Sequence, residues 1–480
     1  MDLPPAFLER YLPLVDDPAA FQDSLQEKPP KSFRVNTLKA APQEVQERFS
    51  EYGIALQAVP WYPDAFVSSE PAVGQTLDHA LGLIYLQDLA SMLPPLALLP
   101  ELEQLRDAPE PEEQEPPVIP GVLDACAAPG SKAGQLAALL QGRSLVVAND
   151  VSWGRTKALR FNLEKMGATN AVVMSRDLRS FPACQFPLIL LDAPCSAEGT
   201  ACRNPLALER WKPRLIQRLA RIQQRLLLAA FDHLLPGGVL VYSTCTFAPE
   251  ENEGVAEFLL QQRSASLEPL RFPGLRSSPG LTAWEGEDFS PDLSKAVRVW
   301  PHQNRTEGFF LAKIRKARQG NPEPAGRGQL PPLLWDTGGR DVAAVRSYLG
   351  TRFQVATSAA GWYASPKGVV SRGPPLLPPL PLQAPGVHAA TVQEGRVKPS
   401  TMGLQLLGGH ARKNRVNLSA EQAREYIAGE DIGLSPPPAG ATDGYVLLTV
   451  RGLPLGCGLL QAGVVRNVLP KAMRQAIRWC

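Results

Sequence analysis

The chain has 480 residues, 44% of them hydrophobic, with a formal net charge of +2, seven cysteines and five histidines. That length suits about three domains with ample core, and the near-neutral balance means that any basic, nucleic-acid-binding surface is local. An odd number of scattered thiols fits free cysteines better than a disulfide framework, and the lack of C-x-x-C spacing argues against zinc.

The start, MDLPPAFLERYLPLV, lacks the basic end and long apolar core of a secretory signal. No run approaches the roughly 18 apolar residues that span a bilayer. A cytoplasmic protein without a membrane partner is expected, with a monomer favoured. Segments 101–121, 319–332 and 372–386 are rich in Pro, Glu or Gly and read as exposed loops or linkers. They suggest an N-terminal module with its linker (1–115), a central domain (116–318), an intermediate or linker region (319–389) and a C-terminal domain (390–480).

The central block alternates strands and helices. GVLDACAAPG runs from an apolar strand into a turn, SKAGQLAALLQ is helical, SLVVAND is a second strand, and VSWGRTKALRFNLEKMG is a helix stopped by Gly167. NAVVMSRD, FPLILLDAPC, a long helix from about 205 to 235 and GGVLVYSTC follow. Continuous apolar strands are buried on both faces. The predicted fold is therefore α/β, a Rossmann-like doubly wound and mostly parallel sheet, with its ligand at the carboxyl ends of the strands.

Those ends are chemically unusual. The first carries the small-residue turn CAAPGSKAG, the second Asp150, twenty residues after Gly130, the third Asp177 and the fourth Asp192. Any one of them alone reads as a helix cap; four in succession read as a ligand site. The dinucleotide pattern G-x-G-x-x-G is absent, which disfavours NAD. S-adenosyl-L-methionine, with ribose hydroxyls, an adenine amine and an amino-acid tail, fits the acids.

Two strand ends also deliver thiols, Cys195 in LLDAPCSAEG and Cys245 in VLVYSTCTF. A thiolate adds to an electron-poor double bond such as C6 of cytosine, making C5 able to take a methyl group. Asp192, if it keeps its proton, would support the charge developing at N3. One thiol would attack and the other help expel the product; the residues alone do not rank them. Cys126, Cys184, Cys202, Cys457 and Cys480 read as packed core thiols. The zinc-deaminase pattern P-C-x-x-C is not completed after Pro194–Cys195.

Within 203–225 there are seven Lys/Arg and one acid, and Arg214, Arg218, Arg221 and Arg225 share a helix stripe. Leu215, Leu219, Ile222 and Leu226 form the adjacent stripe, expected to pack on the sheet. Phosphates suit the basic stripe, as they do HARKNR (410–415) and, to a lesser extent, Arg34 and Lys39. Trp61, Tyr62, Trp362 and Tyr363 are candidate base-stacking residues. In PEENEGVAEFLL, the proline and the glutamates suit a helix N-terminus and call for no further role.

CAAPGSK, LLDAPCSAEG and YSTCTFAPEENE resemble the signature motifs of the RNA cytosine-C5 methyltransferases, the Nol1/Nop2/Sun family. FRVNTLK (33–39) and GLIYLQDLASMLPPLAL (82–98) are similar to that family's N-terminal RNA-binding portion. The C-terminal region resembles the PUA-like tail of its bacterial 16S rRNA subfamily, in which glycine commonly stands where this chain has Ala197. The resemblance implies an N-terminal RNA-binding α+β module, a class I methyltransferase domain and a β-rich PUA-like domain. It also implies a methyltransferase acting on 16S rRNA or the small ribosomal subunit, with tRNA or a non-catalytic assembly role as alternatives. S-adenosyl-L-methionine would be cradled by Cys126, Ala127, Ala128, Pro129, Gly130, Ser131 and Lys132. Asp150 would take the ribose, Asp177 would lie near the adenine and Asp192 near the methionine end and the base. Cys245 would be the nucleophile and Cys195 the release thiol. No metal is expected.

Overall fold

The computed structural model describes residues 3–107, 118–209, 211–318, 335–358, 360–435 and 440–480. At its centre five parallel strands, β1 (Gly121–Asp124), β2 (Leu145–Asn149), β3 (Ala171–Met174), β4 (Phe186–Asp192) and β5 (Leu234–Thr244), form the body of a ten-stranded sheet. The order runs β3-β2-β1-β4-β5, then antiparallel β6 (Phe309–Lys316). Strands β1, β2 and β3 are buried at every residue, as continuous Val/Leu runs require when both faces are covered. Helices α1 (Ser131–Leu139), α2 (Trp153–Met166), α3 (Pro213–Asp232) and α4 (Glu253–Gln262) connect them. The order reverses between β1 and β4, which is where such sheets bind ligands.

Helix α3 corrects one expectation. The arginine stripe is exposed as predicted, but Ile222 is 42% exposed, and the inward stripe is Ile216, Ala220, Gln223, Leu227 and Ala230. The buried Gln223 hid the true periodicity, because a polar residue is normally read outward.

Smaller sheets flank the centre. Strands Lys31–Val35, Leu56–Val59, Tyr62–Ser68 and Ile84–Leu86 form an antiparallel sheet near the N-terminus. A five-stranded sheet lies at the C-terminal end, and the two share one apolar cluster in which Phe33 and Phe49 join Tyr426 and Val446. The Leu77 N–H donates to the Trp479 carbonyl at 2.8 Å, closing that union. Residues 5–25 do not join this sheet. Phe7, Tyr11 and Phe21 pack instead with Ala201, Phe247 and Trp300 beside the thiols.

The expected linkers fare differently. Residues 108–117 and 319–332 lie outside the described residues, while 101–107 complete a helix, Leu99–Asp107. The intermediate region is folded from Asp336 onward: helix Arg340–Phe353 covers a four-stranded sheet built from residues 362–399. Within 372–386, Leu380 and Leu382 are buried and Ala384–Pro385 pairs with β3. Proline there sets an extended strap at the sheet edge, where a missing N–H costs least. Among the described residues no helix is long and apolar enough to cross a membrane.

Several candidate RNA contacts are internal. Arg34 is wholly buried, donating to Gln87 and to the Ser131 carbonyl. The Lys39 ammonium donates to the carbonyls of Leu81 and Lys165, and burial lowers its pKa to about 7. Tyr62, Trp362 and Tyr363 are core residues, at most 4% exposed. Arg34, Lys39, Trp362 and Tyr363 donate to interior backbone carbonyls instead of facing solvent.

Candidate active site

Strands β4 and β5 run in parallel with Asp192 opposite Ser243. Each chain turns away just beyond that pair, so residues three and two positions further on meet. Cys195 Sγ and Cys245 Sγ stand 3.3 Å apart in hydrogen-bond contact, and all seven cysteines are free. The hydrogen bond to Cys245, then burial, then the Glu251 charge hold the Cys195 thiol well above the ordinary thiol range.

Asp192 accepts from Lys132 Nζ at 2.7 Å and from Ser243 Oγ at 2.9 Å. Burial opposes the Lys132 charge, but Asp192 outweighs it and raises the ammonium pKa. Lys132 also reaches Ser91 Oγ at 3.1 Å. Both donors meet the Asp192 carboxylate as an acceptor, and Lys132 sets a proton donor beside it.

Lys132 lies in the first turn of α1, behind the small-residue turn. Gly130 there has φ +110°, a region that residues with a Cβ rarely adopt, and it places helix N–H groups at the cleft. Asp150 is 2% exposed; its carboxylate accepts the N–H groups of Ala128 at 3.3 Å and Ser152 at 2.9 Å and pairs with Arg155. Asp177 lies three residues beyond β3, capping a short turn, its carboxylate engaged and its pKa lowered by Arg179. The structure thus brings Lys132, Asp192, Cys195 and Cys245 together, with Asp150 under the turn and Asp177 apart from them.

One acid escaped sequence reasoning although it fits the same pattern. Asp124 closes β1 and is fully buried, and neither carboxylate oxygen makes a hydrogen bond of ordinary geometry. Burial pushes its pKa up to about 8, against the pull of Lys132.

The two thiol loops are stitched together by groups the sequence gave little reason to join. Ser196 Oγ meets Thr246 Oγ1 at 2.7 Å, and Thr246 Oγ1 donates to Glu198 at 2.8 Å. The buried Glu198 carboxylate also accepts from Tyr11, Trp211 and the Phe247 N–H. Gln223 donates to the Pro194 carbonyl at 2.9 Å and to Glu251 at 2.7 Å, and Glu251 accepts the Ser196 N–H at 3.0 Å.

The PEENE glutamates therefore do more than favour a helix N-terminus. Glu250 pairs with Arg10, Glu251 anchors the Cys195 loop, and Glu253 pairs with Arg298, whose side-chain exposure is 3% against 0% for the glutamate. Arg298 also donates to the Phe247 carbonyl at 2.9 Å. Replacing it by methionine strands a buried carboxylate, and urea unfolding of Arg298→Met should show a loss of about 3–5 kcal/mol. A loss below about 1 kcal/mol would contradict this assignment.

Burial raises the Glu251 carboxyl from 4.5 to about 7. Folding therefore favours its protonated form. The stabilisation is fully present below about pH 4.5 and fades as pH rises through about 7, by on the order of 3 kcal/mol. Glu251→Gln should flatten that window, since its amide oxygen can go on accepting from Gln223 and from the Ser196 N–H while the titratable group is removed. Unfolding midpoints at pH 5 and pH 8 will differ less in the variant than in the parent chain if Glu251 is the source.

A doubly wound sheet with an acid-closed cleft at its switch point and paired thiols beside it, beyond β4 and β5, defines a class I methyltransferase. The family model described as 16S rRNA methyltransferase RsmB/F matches residues 108–315. Models for the N-terminal domain of 16S rRNA methyltransferase RsmF and for the methyltransferase RsmF PUA domain match residues 3–89 and 413–475. The ribosomal RNA small subunit methyltransferase F of Shewanella amazonensis is 32% identical over 459 residues, covering 92% of this chain and 91% of that protein. The tRNA (cytosine(49)-C(5))-methyltransferase of Pyrococcus abyssi is 38% identical over 316 residues, covering 65% of this chain and 96% of that enzyme. The crystal structure of a methyltransferase homolog protein from Pyrococcus horikoshii aligns with a TM-score of 0.53 at 32% identity, covering 65% of this chain and all of that one. The chain belongs to the RsmB/F family of 16S rRNA methyltransferases.

Proposed function

We propose that this methyltransferase modifies C5 of cytosine in RNA, with 16S rRNA of the small ribosomal subunit as the target, through a transient bond between Cys245 and C6. The contact of two thiols beside the Lys132–Asp192 pair carries this reading. Matches to both terminal RsmF models favour ribosomal RNA over tRNA, since the tRNA-modifying relative spans only 65% of the chain. A vestigial site in a pure assembly factor would have no need to keep both thiols and the ion pair.

The methyl donor proposed is S-adenosyl-L-methionine, which when bound supplies an electrophilic methyl group. The orphaned carboxylate of Asp124 fits a cationic ligand group, and the turn from Cys126 to Lys132 gives close backbone approach. Asp150 would fix the ribose through the turn it organises, and Asp177 would lie on the adenine side. Asp192 would serve both the methionine end and the base.

In the proposed chemistry the Cys245 thiolate forms the S–C6 bond, and the ring electrons that move toward N3 are met by a proton held at the Lys132–Asp192 pair. The resulting enamine takes the methyl group at C5. For release, the C5–H bond breaks and its electron pair rebuilds the C5–C6 double bond as the Cys245 sulfur leaves. Cys195, already hydrogen-bonded to that sulfur, gives it a proton and takes the one from C5, while N3 returns its proton to the Lys132–Asp192 pair; the one proton released overall is that lost to solvent when the Cys245 thiol first ionises. The raised pKa of Cys195 makes it a poor attacker and, once deprotonated, a strong base. The target cytosine must leave its stack, since C6 is attacked from above the ring.

Bisulfite mapping of 16S rRNA and tRNA from cells with and without the protein tests the target. Loss of a 5-methylcytosine in 16S rRNA is expected; loss confined to tRNA would move the assignment there, and no loss would refute both.

A further inference from the structure

We infer that a cleft of about 730 Å³ beside the thiols is a nucleobase subsite for a single-stranded RNA nucleotide flanking the target cytosine. This rests on the reading of RNA as substrate and adds where a second nucleotide is held. One wall is the edge strand Leu56–Val59 continued through Pro60 and Trp61; the other is formed by Gly274, Arg276 and residues 303–305. The walls meet because Gly274, at φ +86°, has no Cβ, which would lie 2.6 Å from that of Pro60.

The lining has the parts a nucleotide needs. Trp61 offers an aromatic surface. Its indole N–H, and Gln303 Oε1 on the other wall, are buried polar atoms without hydrogen-bond partners, a donor and an acceptor that a base edge would satisfy once the side chains covering them move aside. Arg305 is exposed and forms no ion pair among the described residues. Arg276 has only a contact of 3.7 Å to Asp16, with side-chain exposures of 72% and 51%, which holds it weakly. Both are available to phosphate. An apolar peptide would leave the N–H and the amide oxygen unpaired.

The cleft also adjoins the chemistry. Trp61 and Cys245 pack against the same apolar cluster. Pro30, on the cleft lining, accepts at 3.3 Å from Arg203 of the Cys195 loop, which in turn pairs with Asp88. A nucleotide seated here would lie on the strand flanking a base over the thiols.

The test uses the full chain and the naked RNA on which it is active. Arg276→Gln/Arg305→Gln, both at exposed positions, should raise KM for RNA about tenfold, with kcat changed less than twofold. The slope of log KM against log salt should fall by about 1.4, two phosphate contacts at roughly 0.7 each. RNA carrying 4-thiouridine at successive flanking positions should crosslink to the peptide containing Trp61. An unchanged KM in an active enzyme, or crosslinks that avoid both walls, would overturn the subsite. A KM effect seen only on protein-bearing subunits would overturn it in favour of a protein partner. Failure of the parent chain to methylate any RNA would instead refute the functional reading.

Discussion

Cys245→Ala is expected to lower methyl transfer to RNA by at least about a thousandfold while leaving cofactor affinity within about twofold. The size follows from the chemistry: without a bond to C6, C5 of cytosine is too poor in electrons to accept a methyl group, and no neighbouring group replaces the nucleophile. Cofactor binding should persist because the cradle, Asp124, Asp150 and Lys132 approach the cleft from β1, β2 and α1 rather than from the loop after β5. Initial rates with labelled methyl donor and calorimetric titration of the donor measure the two quantities. Near-normal turnover in this variant would remove Cys245 from the mechanism.

Cys195→Ala should behave differently, trapping the enzyme on its substrate. Attack and methylation need only Cys245, but release requires a proton for the departing sulfur and a base for the C5 proton, both assigned to the thiol 3.3 Å away. A covalent protein–RNA band that survives denaturant should therefore accumulate, with turnover reduced by about a hundredfold or more, in the range of a general acid–base contribution. Cys195→Ala/Cys245→Ala should form no such band. If Cys245→Ala accumulates the adduct and Cys195→Ala abolishes it, the two roles are exchanged.

The parts of this site that sequence reasoning found are those tied to strand ends. Asp150, Asp192, Cys195 and Cys245 each sit within three residues of a parallel apolar strand, with Lys132 in the helix turn after β1, and alternation alone brings such ends to one edge. Asp124 had the same signal, an acid closing a strand, and was overlooked because the glycine turn beside it drew the interpretation. Glu198, Gln223 and Glu251 were not legible in that way. Their partners lie 13 to 187 residues away in sequence, and a glutamine on an inward helix stripe looks like an outward one until its partner is known. The core around β1–β5 was legible because burial on both faces leaves an uninterrupted apolar run. The strap at 372–386 was not, since proline-rich extended chain has the same composition whether it is solvated or laid against a sheet.

The helix Pro5–Tyr11 sets a practical boundary. Tyr11 seals the Glu198 carboxylate and packs against Phe247, so a fragment cut to the central sheet would open a water path to the acid that ties the two thiol loops. The smallest unit able to turn over therefore includes residues 5–25, a hundred positions ahead of the sheet they serve.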